Sequence, residues 1–212
     1  VTVFGWAKDY ECYGIKHIII PGDPKLSEVW SALDVALLEK FELEDNRELN
    51  ISCTFIDSGD GTLTDRVYQY TKPRERSRVF SIKGSATLGR AIVDRPTSNN
   101  RYKAHLFVLG VDAGKRLVMQ RLAIQDIGPG FVHFPRGRDN GFTEEYFKQL
   151  TAEVFFRKYE KSKITEGWKK IRERNEALDC CVYATAAIEF MKPLYERLVF
   201  NTGEGHIVSQ AR

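Results

Sequence analysis

The chain has 212 residues and a mass of 24.3 kDa, enough for one substantial domain or at most two small ones. With 42% hydrophobic and 29% charged residues the composition is ordinary for a globular protein, which excludes disordered and collagen-like classes. The formal charge of +3 points to no particular partner, and no run approaches the ~18 apolar residues of a membrane span. The most apolar stretch, 177–191, is interrupted by Asp179 and Glu189. No charged n-region followed by an apolar h-region is present, so no secretory signal is visible.

Taken in order, 1–7 and 12–20 predict two strands. The break at Pro21-Gly22-Asp23-Pro24 precedes a helix from an N-cap at Ser27 to about Phe41, with Trp30, Leu33, Leu37 and Phe41 on one stripe. A buried strand over 51–56 ends at Asp57, and a turn at Ser58-Gly59-Asp60-Gly61 leads to a helix carrying Leu63, Val67 and Tyr70. Strands are predicted at 78–82, 103–109 and 131–134, and helices at 112–122 and 143–150, with a loop over 85–101. The segments 151–159 and 164–171 read as a basic hairpin, and 172–191 as a long helix stopped by Pro193. Strands followed by helices, then a β-rich insert and a long helix, predict an α/β domain with a mixed sheet.

Charge is distributed unevenly. Between Asp23 and Glu48 eight acids face three bases; between Arg157 and Arg174 eight bases face three acids. A second basic cluster comprises Arg66, Lys72, Arg74, Arg76 and Arg78. Such segments are either solvated faces or a grip on a polyanion. Cys12, Cys53, Cys180 and Cys181 have no metal-binding spacing and read as buried free thiols of a reducing compartment, where the glycosylation match Asn50-Ile51-Ser52 is without meaning.

Two carboxylates attract attention. From Ala177 onward the last helix is apolar nearly all round, so Asp179 should be buried and needs a cation, donors or a metal. Glu176 lies three residues earlier on the same face; the pair either converges on one divalent ion or answers Arg172 and Arg174. Asp57 stands at the carboxyl end of a buried strand before a glycine turn, a ligand position of open α/β sheets and equally an Asx-type cap. Together Asp57 and Asp179 fit a metal nuclease, with hard carboxylates favouring Mg²⁺ or Mn²⁺. Lys83 ends a strand and either points into a polyanion site or sits on the surface. The stretches from Gly110 to Lys115 and from Gly84 to Arg90 imitate phosphate loops, but the first is one residue short and the second has Arg in place of Lys; His133 reads either as a packed or hydrogen-bonded core residue or as an active-site one.

Seven blocks in order carry a family resemblance: Val3-Phe-Gly-Trp6, Phe55-Ile-Asp-Ser-Gly59, Arg78-Val-Phe-Ser-Ile-Lys-Gly84, Val111-Asp-Ala-Gly-Lys115, Pro129-Gly-Phe-Val-His-Phe-Pro135, Gln149-Leu-Thr-Ala-Glu153 and Arg174-Asn-Glu-Ala-Leu-Asp-Cys180. They make the chain resemble the nuclease domain of the large terminase subunit of lambda-like tailed phages. The resemblance implies a ribonuclease-H-like mixed sheet flanked by helices with a β-rich insertion, spanning 1–192 and followed by a tail at 193–212. It implies a metal-dependent endonuclease that cuts concatemeric double-stranded DNA with two Mg²⁺ or Mn²⁺ ions. Asp57 matches the second acidic position and Asp179 the last, with Glu176 as a further metal-site residue and Lys83 orienting a phosphate or the attacking water. Duplex contacts fall to Arg74, Arg76, Arg78, Lys161, Lys163, Lys169, Lys170 and Arg172. The family's first acidic position lies on a Val-Asp strand upstream of Val3 that this sequence does not contain, so the first strand is expected to be missing. Asp60 departs from the small or aliphatic residue expected after Ser58-Gly59. The implied partners are an N-terminal ATPase domain of the same subunit, the small terminase subunit and the portal, in the host cytoplasm and without a membrane. The competing readings are a non-catalytic docking module for DNA or a partner, and a different ribonuclease-H-like nuclease such as a resolvase or transposase core.

Overall fold

The computed structural model describes residues 1–192 except 44, 138, 161 and 162, and not the side chains of 160 and 163. Lys161, the side chain of Lys163 and the expected tail at 193–212 therefore lie outside the described residues. In chain order the elements are β1 (Thr2–Trp6), β2 (Cys12–His17), α1 (Ser27–Leu37), β3 (Phe41–Glu42), β4 (Glu48–Leu49), β5 (Thr54–Asp57) and α2 (Thr64–Thr71). A 3₁₀ turn Lys72–Ser77 follows, then β6 (Val79–Ser85), β7 (Leu106–Gly110), α3 (Val111–Leu122), β8 (Val132–His133), α4 (Glu144–Leu150), β9 (Glu153–Glu160), β10 (Lys163–Lys170) and α5 (Glu176–Met191).

The mixed α/β expectation holds, but the strands are divided among several sheets. β5, β6 and β7 form a parallel sheet with Asp57 opposite Ile82 and Lys83 opposite Val108. β1 and β2 pair antiparallel, and β2 adds β8 in parallel. β9 and β10 form the expected hairpin, Lys170 facing Glu153, Trp168 facing Phe155 and Glu166 facing Arg157. α5 packs on both larger sheets. Its Ala177, Leu178 and Val182 meet α3 and α4 residues and Phe4, and its Ala186 and Phe190 meet Ile82, Phe107 and Leu109.

Three local expectations are corrected. Helix α1 ends at Leu37 rather than Phe41, because Phe41 pairs with Leu49 in the short β3–β4 ladder, closed by Lys40–Glu48. Ser27 caps nothing; its hydroxyl bonds Glu28 and the N-cap is Leu26. The last helix starts at Glu176, not near Arg172. The Asp60 departure has a local reason. Its carboxylate accepts the Thr62 N–H at 2.9 Å and hydroxyl at 2.8 Å, closing the turn ahead of α2.

The phosphate-loop imitation from Gly110 to Lys115 is explained by packing. Gly110 N–H donates to Ala91 and Ile92 carbonyls, so that backbone passes where a Cβ would stand. A Cβ on Gly114 would lie 2.5 Å from Val182 Cγ1, so glycine is what lets α3 and α5 approach. Gly114→Ala gains about 1 kcal/mol of helix propensity but overpacks a stiff β-branched neighbour at about 1–3 kcal/mol. The expected net is a lower denaturant midpoint; an unchanged or higher midpoint would show that the helix pair relaxes freely.

The four cysteines are free, with Cys12 and Cys181 buried. Burial pushes the Cys53 and Cys181 thiols up to about 12, so both are protonated at neutral pH. His133 stacks on Tyr13 with 4.4 Å between ring centroids and bonds Glu11 at 2.6 Å, the packed, hydrogen-bonded role expected of it.

Candidate active site

β5 delivers Asp57 to the carboxyl end of the parallel sheet. Its Oδ1 accepts the Gly59 N–H at 2.8 Å, and the next residue, Ser58, is buried with its N–H and hydroxyl on the Ile82 carbonyl. The Asx-type turn and the ligand position are thus the same residue: the turn uses one carboxylate oxygen. The other, Oδ2, accepts the hydroxyl of Tyr183 at 2.9 Å.

Tyr183 stands four residues after Asp179 on α5, so helical spacing puts both on the face turned to β5. Asp179 accepts one side-chain bond from Asn175 at 3.1 Å. Burial raises the Asp179 pKa to about 6; Lys115 and Lys170 oppose this, while the Glu153 and Asp57 charges reinforce it. The Tyr183 hydroxyl is pushed up by burial and then by Asp57 and Asp179. Burial, more than the balance of neighbouring charges, is what disfavours the ionised form of both groups.

Behind Asp179 lies a buried ion pair. Lys115 of α3 meets Glu153 of β9 at 2.7 Å, with side-chain exposures of 12% and 8%. Asn175 donates to Glu153 at 2.8 Å as well as to Asp179, linking pair and carboxylate. Sequence reading singled out none of Lys115, Glu153, Asn175 and Tyr183. Their only signal was membership of the blocks ending at Lys115, Glu153 and Cys180, plus the i+4 spacing of Tyr183 from Asp179.

The other expected residues are distributed as follows. Glu176 begins α5 and pairs with Arg174 at 3.3 Å, both largely exposed. Lys83 is exposed one residue past Ile82, the register partner of Asp57. Arg74 is engaged within the fold: its guanidinium grips both Asp34 oxygens and lies 4.0 Å from the Tyr70 ring centroid. Arg76 and Arg78 are exposed on and just after the 3₁₀ turn. Lys169 and Lys170 are exposed on opposite faces of the hairpin, Lys170 on the face of Glu153; Arg172 is exposed and donates to the Thr151 carbonyl.

Among the described residues no three or more His, Cys, Asp or Glu side chains gather closely enough to make a preformed metal cage. The donor set nevertheless suits a hard cation: two carboxylates brought together, one with its charge disfavoured by burial and by Glu153 and Asp57.

Comparison with known sequences bears on this site. A family model described as terminase large subunit gpA, endonuclease domain, matches residues 1–198. The chain belongs to this family. It is 32% identical over 193 residues to the terminase large subunit of Enterobacteria phage P21, covering 88% of this chain and 29% of that protein. It is 32% identical over 194 residues to the terminase large subunit of Escherichia phage lambda, covering 89% of this chain and 30% of that protein. The chain thus spans under a third of the length of these relatives. No solved structure matches it. Among the described residues no helix is long and apolar enough to cross a membrane.

Proposed function

We propose that this chain is a metal-dependent DNA endonuclease, its residues 1–192 forming the nuclease domain of a viral packaging terminase, and that Asp57 and Asp179 are its metal ligands. The observation that carries the proposal is the Tyr183 hydroxyl on Asp57, four residues along α5 from Asp179, whose carboxyl feels the Asp57 charge and is raised, first by burial, to about 6. Family membership supports the endonuclease reading. The parallel β5–β6–β7 sheet, the antiparallel β1–β2 pair and α5 packed on both support a ribonuclease-H-like arrangement.

Two Mg²⁺ or Mn²⁺ ions, when bound, supply a lowered water pKa and stabilisation of the leaving oxygen of a phosphodiester. The chain's own residues prepare for this. Asp57 and Asp179 would hold the ions, with Glu176, one turn before Asp179, as a further carboxylate. Gly59 N–H and the Tyr183 hydroxyl fix the Asp57 carboxylate, and Asn175 fixes that of Asp179. Lys83 orients a phosphate beside Asp57. Arg76, Arg78, Lys161, Lys163, Lys169, Lys170 and Arg172, with Arg74 in support, hold the duplex by its phosphates. Such contacts carry little sequence information, so site choice falls to partners: the small terminase subunit, alongside the subunit's ATPase domain and the portal, in the host cytoplasm.

The test is nicking of supercoiled plasmid in Mn²⁺ by the parent and by Asp57→Ala. The variant is expected to lose cutting by about a hundredfold or more, the scale set by metal-site changes, at an unchanged circular-dichroism spectrum. A folded Asp57→Ala that cuts at the parent rate overturns the assignment.

A further inference from the structure

A second charged feature lies outside the acidic site. An open cleft of about 510 Å³ separates the start of α3 from the β9–β10 hairpin and the 88–90 loop. Three arginines line it, Arg90, Arg116 and Arg157, against two acids, Asp112 and Glu166. Each arginine comes from a different element, so the convergence is a product of the fold. Arg90 is anchored by Nε on the Val108 carbonyl at 3.2 Å, with further N–H donors on the same head. Arg116 lies 4.0 Å from the Phe155 ring centroid, which holds its plane, and bonds Asp112 at 3.0 Å. Asp112 is spoken for twice, since Trp168 Nε1 also donates to it at 3.0 Å.

Glu166 is the acid that two of these arginines share, Arg157 at 2.9 Å and Arg116 at 3.6 Å. An anion entering the cleft can replace it on both arginines and add Arg90. Planar forks in this number suit phosphate oxygens, which they bind bidentately.

The cleft also has a fixed relation to the acidic site. Arg116 adjoins Lys115, whose partner Glu153 opens the same hairpin strand that carries Arg157. Asp57 ends β5, and the cleft lies past the end of β7, two strands away in the same sheet. Two strand spacings are about 10 Å. As a lateral offset alone this corresponds to about three nucleotides or more of a duplex strand at ~3.4 Å each.

We propose that this cleft seats a backbone phosphate of the DNA a few nucleotides from the bond to be cut, with Glu166 as the built-in competitor it displaces. The proposal rests on the nuclease reading for the identity of its ligand. It is tested by binding of a fluorescent DNA duplex in EDTA, where nothing is cut, across a salt series. The double variant Arg90→Ala, Arg157→Ala is expected to bind about tenfold more weakly and to flatten the slope of log affinity against log salt by about one, the share of a single phosphate. Glu166→Gln is expected to bind more tightly than the parent. That gain should vanish when Arg90→Ala and Arg157→Ala are added, which separates a phosphate seat from a clamp that merely fastens hairpin to helix and from the general effect of removing a negative charge. An unchanged salt slope in the double variant, or Glu166→Gln binding no better than the parent, overturns the proposal. So does a parent that binds no duplex at low salt. If the parent fails to nick plasmid in Mn²⁺ while these shifts occur, the catalytic reading fails and the cleft stands only as a seat for a DNA phosphate, its relation to a cut bond overturned. If Asp57-dependent nicking occurs without the shifts, the cleft alone falls.

Discussion

Replacing Asp179 by asparagine is expected to make the protein more stable and nearly inactive. The physical basis is the rise of its pKa from 3.8 to about 6, caused first by burial and reinforced by Glu153 and Asp57. Between those two values the folded chain binds a proton that the unfolded chain releases. The stabilising contribution of that proton is complete below about pH 3.8 and is lost as pH rises through 6. At neutral pH the folded state therefore carries a charge it would be better without. After discounting for solvent screening, asparagine should recover about 1–2 kcal/mol, a rise of a few degrees in melting temperature at pH 7.5 or so. Asn175 still has a side-chain oxygen to donate to. Cutting should fall about a hundredfold or more. Mn²⁺ should raise the melting temperature of the parent and leave that of Asp179→Asn unmoved, since only a ligand-competent native state is stabilised by mass action. The parent's nicking rate should decline as pH drops below about 6, where Asp179 takes up its proton and must lose it to bind a cation. A variant less stable than its parent at neutral pH would sink the account of an undercompensated carboxylate.

The largest loss of stability is expected at Lys115. Truncating it to alanine leaves Glu153 charged and buried at 8% exposure, with Asn175 as its remaining side-chain donor. Breaking one partner out of such a pair costs about 3–5 kcal/mol, or ten degrees or so of melting temperature. Lys115→Met with Glu153→Gln removes both charges and should recover most of that loss, because it is the orphaned charge rather than the missing bridge that destabilises. The cycle of single and double variants isolates the coupling. Nicking should not return fully with stability in the double variant, because the Lys115 charge that opposes the raised pKa of Asp179 is gone. Full activity in a stable double variant would show that the pair is purely architectural.

How much of this was legible beforehand differs by kind of residue. Asp57 stands out as a candidate because two local facts coincide on it: a short buried strand ends there and a glycine turn begins. Asp179 could be found because a carboxylate inside an apolar helix violates the cost of burying charge and so demands a partner. Both are local conflicts, and a sequence displays local conflicts. The hairpin and the order of most strands and helices were legible for the same reason, since periodicity and turn residues are written within a few positions of one another. The extent of α1 was not, because Phe41 satisfies the helical stripe and is taken instead by a strand partner eight residues on.

Lys115, Glu153, Asn175 and Tyr183 were passed over because nothing local is anomalous about them. Lys115 lies in a stretch that imitates a phosphate loop, and its glycines turn out to serve the close approach of α3 to α5 and of the 90–92 backbone to β7. Glu153 looks like one more acid at the edge of a basic hairpin until the hairpin folds it against α3. Arg74 was read as surface charge for DNA, yet Asp34, forty residues away, engages it within the fold. The arginine cleft draws on three separate elements. The sequence alone therefore determined which carboxylates are out of place and which family the chain resembles, because burial cost and motif order are properties of neighbouring residues. Only the tertiary structure decided their counter-charges, since an ion pair across dozens of residues is selected by the packing of α3, α5 and the hairpin and leaves no periodic trace.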